Sequence, residues 1–284
     1  MKRRVLSAAL ADATLVPPRQ GRSDRIDGVD LDRTEAKRLR AWATRHITAR
    51  QEALWAEGRR SLLVVLQGLD TAGKDGTTRA VFRGADPQGV RVASFKAPTA
   101  LELRHDFLWR VHEVAPAAGE IVVFNRSHYE DLIVPLANGQ LDDAGLDERV
   151  AAIEAFERHL LDSATAIVKF FLDVSYEVQG ERLLARLERP EKHWKFSEGD
   201  LATRERFGRF RAAYDTVLAR TSFDFAPWRR IPADRRWYRN AVAAAIVAHV
   251  LEVMDPAPPA VAIEHLHHIE HVLRSELATP GAEP

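Results

Sequence analysis

The chain has 284 residues, 46% of them hydrophobic and 29% charged, which suits one large α/β domain with a substantial core. Its 41 basic residues balance its 41 acidic ones, so no global field draws it to nucleic acid or a membrane surface. It has no cysteine, which excludes a disulfide framework, a thiolate metal site and a cysteine nucleophile.

Residues 1–32 carry Pro17, Pro18 and several Asp and Gly without a sustained period, and read as an extended N-terminal arm. Met1-Lys2-Arg3-Arg4 followed by Val5–Leu10 imitates the start of a signal peptide. The apolar stretch is short and Asp12 ends it, so a cytoplasmic protein without a membrane anchor is expected. A helix is predicted over 33–57. Ser61–Gln67 is a continuous apolar run of the kind that forms a buried parallel strand. Similar runs follow at 90–95, 120–125, 167–172 and, more weakly, 228–231. Helical segments near 74–83, 99–114, 146–162 and 200–220 separate them. This alternation predicts an open parallel sheet with helices on both faces. Residues 235–275 read as helical with a break at 256–259, which leaves 256–284 as a C-terminal helical tail.

Gly68-Leu69-Asp70-Thr71-Ala72-Gly73-Lys74 follows the first strand directly, and a helix follows it. Strand, glycine loop, lysine and helix form the context of a P-loop, in which backbone N–H groups and a helix N-terminus face a phosphate. Gly68, Ala72, Gly73 and Gly76 are the expected cradle, and Lys74 the point charge on the phosphate oxygens. Asp75 stands where Ser or Thr usually ligates Mg²⁺, and Asp70 lies inside the loop. A carboxylate ~4 Å from a phosphate at an effective dielectric of ~20 costs roughly 4 kcal/mol, and a divalent cation between them removes that cost. Asp70 therefore reads as a metal-facing carboxylate suited to Mg²⁺, with Mn²⁺ as an alternative. For Asp75, a helix N-terminal charge and a ligand role both stay open.

Arg126-Ser127-His128-Tyr129-Glu130-Asp131 leaves the C-terminal end of another strand, where open α/β sheets bind ligands. It offers one arginine for phosphate and two carboxylates for metal or proton work. Arg182, Arg186 and Arg189 are spaced i, i+4, i+7 on one helix face, and Lys192 and Lys195 follow the break at Pro190. Lys96, Arg104 and Arg110, with Arg79 and Arg83, could line a track for a long polyanion. His265, His267, His268 and His271 in the tail match no recognised metal pattern and read as a surface or oligomer-interface feature.

Taken in order, these motifs resemble the polyphosphate kinase 2 family. Gly68-x-Asp70-x-Ala72-Gly73-Lys74-x-Gly76 is similar to its Walker A form, and Phe124-Asn125-Arg126-Ser127-x-Tyr129 to its Walker B region. Arg189-Pro190-Glu191-Lys192-His193-Trp194-Lys195-Phe196 resembles its lid, and Phe95-Lys96-Ala97-Pro98-Thr99 and Phe107-Leu108-Trp109-Arg110 add agreement over about 35–255. The resemblance implies a three-layer α/β/α P-loop kinase-like fold at 33–255, with a helical lid at about 176–200. It also implies Mg²⁺-dependent, reversible phosphoryl transfer between inorganic polyphosphate and nucleoside mono- or diphosphates (AMP, ADP). Many members carry Asp where this chain has Asn125; Asn125 with Tyr129-Glu130-Asp131 looks like the subgroup called class III. On this reading Asp70 and Asp131 hold the metal. Lys74, Arg126, Arg182 and Arg186 are catalytic, while Asp75, Lys96, Ser127, Tyr129, Glu130, Arg189, Lys192 and Lys195 contact substrate. A homo-oligomer, dimer or tetramer, is expected, with no nucleic-acid or membrane partner. Two rivals remain: an ATP-dependent nucleoside monophosphate kinase and a non-catalytic P-loop nucleotide sensor.

Overall fold

The structure, a computed structural model, describes residues 2–15, 25–26, 29–195, 198–260 and 262–278. Five parallel strands form one sheet: β1 (Ser61–Gln67), β2 (Val90–Ser94), β3 (Ile121–Asn125), β4 (Thr165–Asp173) and β5 (Trp228–Pro232), in the order β2-β3-β1-β4-β5. Every residue of β1 is buried, as its unbroken apolar sequence requires of a central strand covered on both faces. Leu66 lies opposite Asn125 on β3 and Phe170 on β4, so the C-terminal ends of these three strands share one rim of the sheet.

One helical layer holds α1 (Lys2–Ala13), α2 (Arg33–Glu57), α3 (Lys74–Val81) and α10 (Arg236–Met254), with α10 packed on the other three. The opposite layer holds α5 (Glu130–Ala137), α6 (Asp143–Asp162) and α9 (Phe207–Arg220). The expected three-layer α/β/α arrangement is therefore the observed one. Asp32 starts α2 with a reciprocal cap: its side chain accepts from the N–H of Thr34 and Glu35, while Glu35 accepts from the Asp32 N–H. The run Ala241–Ala248 of α10 is fully buried, and its small side chains let α2 approach closely.

Three sequence expectations change. The arm is not extended throughout: residues 2–13 form α1, whose Leu10 and Ala11 bury against α10. Tertiary burial there outweighs a weak local pattern. Arg230 N donates to Thr14 O, so the arm also covers the free edge of β5; Pro17 and Pro18 lie outside the described residues. The single helix expected over 99–114 is a short 3₁₀ turn at Glu102–Arg104 followed by α4 (Trp109–His112). Asp106 separates them by accepting the Leu108 N–H, a turn that competes with helix continuation. The segment at 200–220 divides into α8 (Glu198–Glu205) and α9. The break expected in the tail begins at Asp255, which adopts a left-handed conformation ahead of Pro256, and the chain resumes as α11 (Ile263–Leu277). Between β4 and α9, α7 (Tyr176–Leu187), a 3₁₀ turn at Pro190–Lys195 and α8 occupy the stretch expected to form a lid.

Beneath the sheet rim lies a fully buried polar cluster that the sequence did not reveal. Lys169 of β4 donates to Glu157 Oε2 at 2.7 Å, to the Tyr129 hydroxyl at 2.9 Å and to Thr221 O at 2.8 Å. Tyr129 donates in turn to Glu157 Oε1 at 2.7 Å. Burial pulls the Lys169 ammonium down from its ordinary range against the pull of Glu157. Burial alone would raise the Glu157 carboxyl, but Lys169 and His128 outweigh it and hold it below the usual range. The cluster ties β4 and α6 to the segment that leads into α5. Removing one charge strands the other in the core. Lys169→Met should therefore lower unfolding stability by about 3–5 kcal/mol, and Lys169→Met with Glu157→Gln should recover part of that loss. Urea unfolding of both variants checks this, and an unaltered midpoint for the single variant would count against it.

Candidate functional site

The site grows from the C-terminal ends of β1 and β3. After Gln67 the chain turns through Gly68 and Thr71, both at positive φ, and enters α3 at Gly73, with φ +100°. Gly68 is required by space as well as by angle, since a Cβ there would stand 2.6 Å from Leu172 O on β4. Lys74 folds back over the loop and donates to Gly68 O at 2.5 Å and, more weakly, to Leu69 O at 3.4 Å. Burial, then the nearby Arg126, pull its ammonium below its ordinary range, while Asp70, Glu130 and Asp75 oppose them.

At the mouth, Arg126 leaves β3 with φ +62° and donates to Asp70 Oδ1 at 2.7 Å. Its other terminal nitrogen lies 3.8 Å from Glu130 Oε2. Burial opposes the Arg126 charge, but Glu130 and Asp70 outweigh it and raise its pKa. Glu130 is pushed up, chiefly by burial, although Arg126 and Lys74 both pull it down. Gln67 supports Glu130 from β1. With its amide oriented to satisfy both ends, its nitrogen donates to Glu130 Oε1 at 2.9 Å and its oxygen accepts from Ser127 N at 3.2 Å. Asp75, exposed in the first turn of α3, accepts from Asn125 Nδ2 at 2.8 Å, which spans the gap between the two strand ends. The structure brings Asp70, Lys74, Asp75, Arg126 and Glu130 together at one mouth.

Several other expected contacts go elsewhere. Asp131 does not join Asp70; it accepts from Arg110 Nη2 at 2.9 Å. Glu130 and Asp131 are the first two residues of α5, and successive helical residues point about 100° apart, so one faces the P-loop and the other faces α4. Arg110 is itself taken: it is buried, donates to Lys96 O at 3.0 Å and lies over the Phe95 ring, so it cannot serve a polyanion track. Ser127 and Tyr129 are fully buried, held by Gln67 and by the Glu157–Lys169 cluster, and support the loop instead of touching substrate. Ala72 turns its N–H inward to Leu69 O, so the cradle does not include it.

Arg182 also departs from expectation. It is buried in α7 and donates to Thr71 O, Ala233 O and Asp234 O, so it braces the P-loop. Burial, reinforced by Arg236, lowers it to about 10. Further along, Arg186 is half-buried and Arg189 exposed. Lys96 is exposed near the same rim. The side chains of Lys192 and Lys195 lie outside the described residues.

A metal fits this mouth in one way. Asp70 and Glu130 are hard oxygen donors around a shared cationic position, the kind that Mg²⁺ uses. Among the described residues no group of three or more His, Cys, Asp or Glu could hold an ion, His267, His268 and His271 included. Two carboxylates completed by substrate phosphates is the pattern typical of Mg²⁺ in phosphoryl-transfer sites.

The sequence profile described as Polyphosphate kinase 2 (PPK2) matches residues 30–259. A protein of Meiothermus ruber named AMP/ADP-polyphosphate phosphotransferase is 48% identical over 208 residues, covering 73% of this chain and 78% of the relative. An ADP-polyphosphate phosphotransferase of Rhodopseudomonas palustris is 37% identical over 242 residues, covering 81% of each. The crystal structure of polyphosphate kinase 2 from Arthrobacter aurescens TC1 superposes with a TM-score of 0.89 at 37% identity, covering 93% of this chain and 96% of that one.

The two acidic neighbours of α5 should separate in a phosphoryl-transfer assay. Asp70→Asn and Glu130→Gln are each expected to lower kcat by about 10²-fold or more, with the unfolding midpoint unchanged. Asp131→Asn keeps an acceptor for Arg110 and should cost less than about tenfold. Equal losses at Glu130 and Asp131 would contradict the assignment.

Proposed function

The chain belongs to the polyphosphate kinase 2 family, and from that premise we propose that it transfers phosphoryl groups from inorganic polyphosphate to AMP and ADP. The observation that carries the reading is the mouth itself: Arg126 held between Asp70 and Glu130, close enough to Lys74 at the P-loop to act on its charge. A site with two carboxylates facing a phosphate cradle is built for a polyanion that arrives with a divalent cation. The Meiothermus ruber relative, whose name includes both AMP and ADP, supports acceptance of mono- and diphosphates. So does Asn125, a neutral amide bonded to Asp75 at the position where many family members carry Asp.

Loop amides and Lys74 bind one phosphate group and set its orientation. Lys74 is already desolvated, so its charge acts through a low local dielectric once it leaves the loop carbonyls for the ligand. Asp70 and Glu130 would hold Mg²⁺, which when bound supplies charge neutralisation between donor and acceptor phosphates. Arg126 balances the charge that remains, and its strained backbone fixes the approach of its guanidinium. Arg186 and Arg189, with Lys192 and Lys195, belong to the segment that closes over the reacting groups and excludes water. Positioning and electrostatics account for the catalysis, because phosphoryl transfer asks for little covalent work from the protein.

A cytoplasmic setting and a homo-oligomer are part of the proposal. No helix among the described residues is long and apolar enough to cross a membrane. Leu266, Ile269, Leu273 and Leu277 form an exposed apolar row on α11 that suits a second copy of the chain. The ATP-dependent kinase and sensor readings are not favoured, since the matched relatives are named for polyphosphate. Incubation of AMP, ADP or GDP with polyphosphate and Mg²⁺, without ATP, should yield the next higher phosphate, read by anion-exchange chromatography. Failure to form either ADP or ATP would defeat the reading.

A further inference from the structure

We propose that Arg239, in the first turn of α10, is a positioning residue that aims and polarises the Gly73 N–H at the bound phosphate; this rests on the phosphoryl-transfer reading above. Arg239 is almost completely buried, and its Nη1 donates to Ala72 O at 2.6 Å. A trans peptide unit points its C=O and N–H in opposite directions. The unit that gives its carbonyl to Arg239 is the one whose nitrogen belongs to Gly73. Fixing the carbonyl inward therefore fixes the Gly73 N–H outward. A charge-assisted bond on the carbonyl also strengthens the N–H as a donor, since linked hydrogen bonds polarise one another.

The fit is close enough to constrain sequence. A Cβ on Gly73 would stand 2.0 Å from Arg239 Nη1, and one on Gly76 would stand 3.3 Å from its Nη2. So Gly73 is needed for φ +100° and also to admit the guanidinium. Asn240 Oδ1 accepts from Arg239 Nε at 3.1 Å and Nη2 at 2.8 Å, which holds the guanidinium plane against the loop. Among the described residues, both acceptors of Arg239 are neutral oxygens, and Arg182, on the next carbonyl back at Thr71 O, donates to backbone carbonyls. Burial first, then Arg182 and Arg236, pull Arg239 down to about 9. A buried cation without an acid beside it is costly, and an anion on the outer side of the same peptide unit offsets that cost. The phosphate and the arginine thus act on one peptide from its two ends.

The test uses full-length protein and pyrophosphate with Mg²⁺ as the probe, with binding measured by calorimetry. Arg239→Met should weaken pyrophosphate binding by about tenfold or more, and Arg239→Lys, which can still donate to Ala72 O, should restore part of it. In the polyphosphate assay the Met variant should raise KM for polyphosphate by a larger factor than it lowers kcat. Pyrophosphate binding within twofold of the wild type in a folded Met variant would overturn the proposal. If that variant does not fold, the Gly73 amide resonance of the wild type decides: a shift on adding pyrophosphate supports the proposal, and no shift at saturating ligand overturns it. Wild-type protein that binds pyrophosphate but does not turn over polyphosphate would defeat the functional reading and leave the binding and amide measurements to judge Arg239.

Discussion

A phosphate loop binds anions through its N–H groups, and each peptide unit that turns its N–H out must turn its carbonyl in. Those inward carbonyls need donors in a place where water has little room. Here cations provide them: Lys74 for Gly68 and Leu69, and Arg239 for Ala72, while Arg182 holds Thr71 O, whose peptide N–H, that of Ala72, stays inside the loop on Leu69 O. The rest of the structure is arranged to bring these three side chains to one loop. Lys74 starts the helix that the loop opens into, Arg182 comes from α7 beyond β4, and Arg239 from α10 beyond β5. The parallel sheet sets β1 beside β4 and β5 beyond it, so the connections after those strands converge behind the P-loop.

In front of the loop the charge pattern reverses. Asp70, Asp75 and Glu130 ring the mouth, with Arg126 between two of them. Cations behind and carboxylates in front make a site that an anion enters best together with a metal ion. The segment carrying Arg126 and Glu130 is held by buried groups that never meet substrate: Ser127 through Gln67, and Tyr129 through Glu157 and Lys169. The mouth thus hangs on two polar networks buried in the core.

Much of this is legible in the sequence because it is local. A strand followed by Gly68–Lys74 and a helix announces its own geometry, and unbroken apolar runs announce a covered parallel sheet. What sequence obscures is which way a side chain faces where two candidates stand side by side. Glu130 and Asp131 look interchangeable until the start of α5 sends them to opposite neighbours. Arg182 sits on a well-spaced arginine face, yet the packing of α7 buries that end of it. Arg239 gave no signal, since nothing in the run Arg235-Arg236-Trp237-Tyr238-Arg239 points to a loop so distant along the chain; the glycine at position 73 was the only trace of it. The helix of the arm is hidden in the sequence for a related reason, because its stability comes from α10 and not from its own period.

The claim on which the account turns is that Asp70, at the lip of a cation-backed P-loop, receives a metal together with a phosphate chain. Mn²⁺ binding followed by electron paramagnetic resonance, with and without pyrophosphate, tests it directly in the wild type and in Asp70→Asn. The account predicts that pyrophosphate tightens Mn²⁺ binding in the wild type and that Asp70→Asn abolishes this gain while pyrophosphate still binds. An undiminished gain in Asp70→Asn would contradict it.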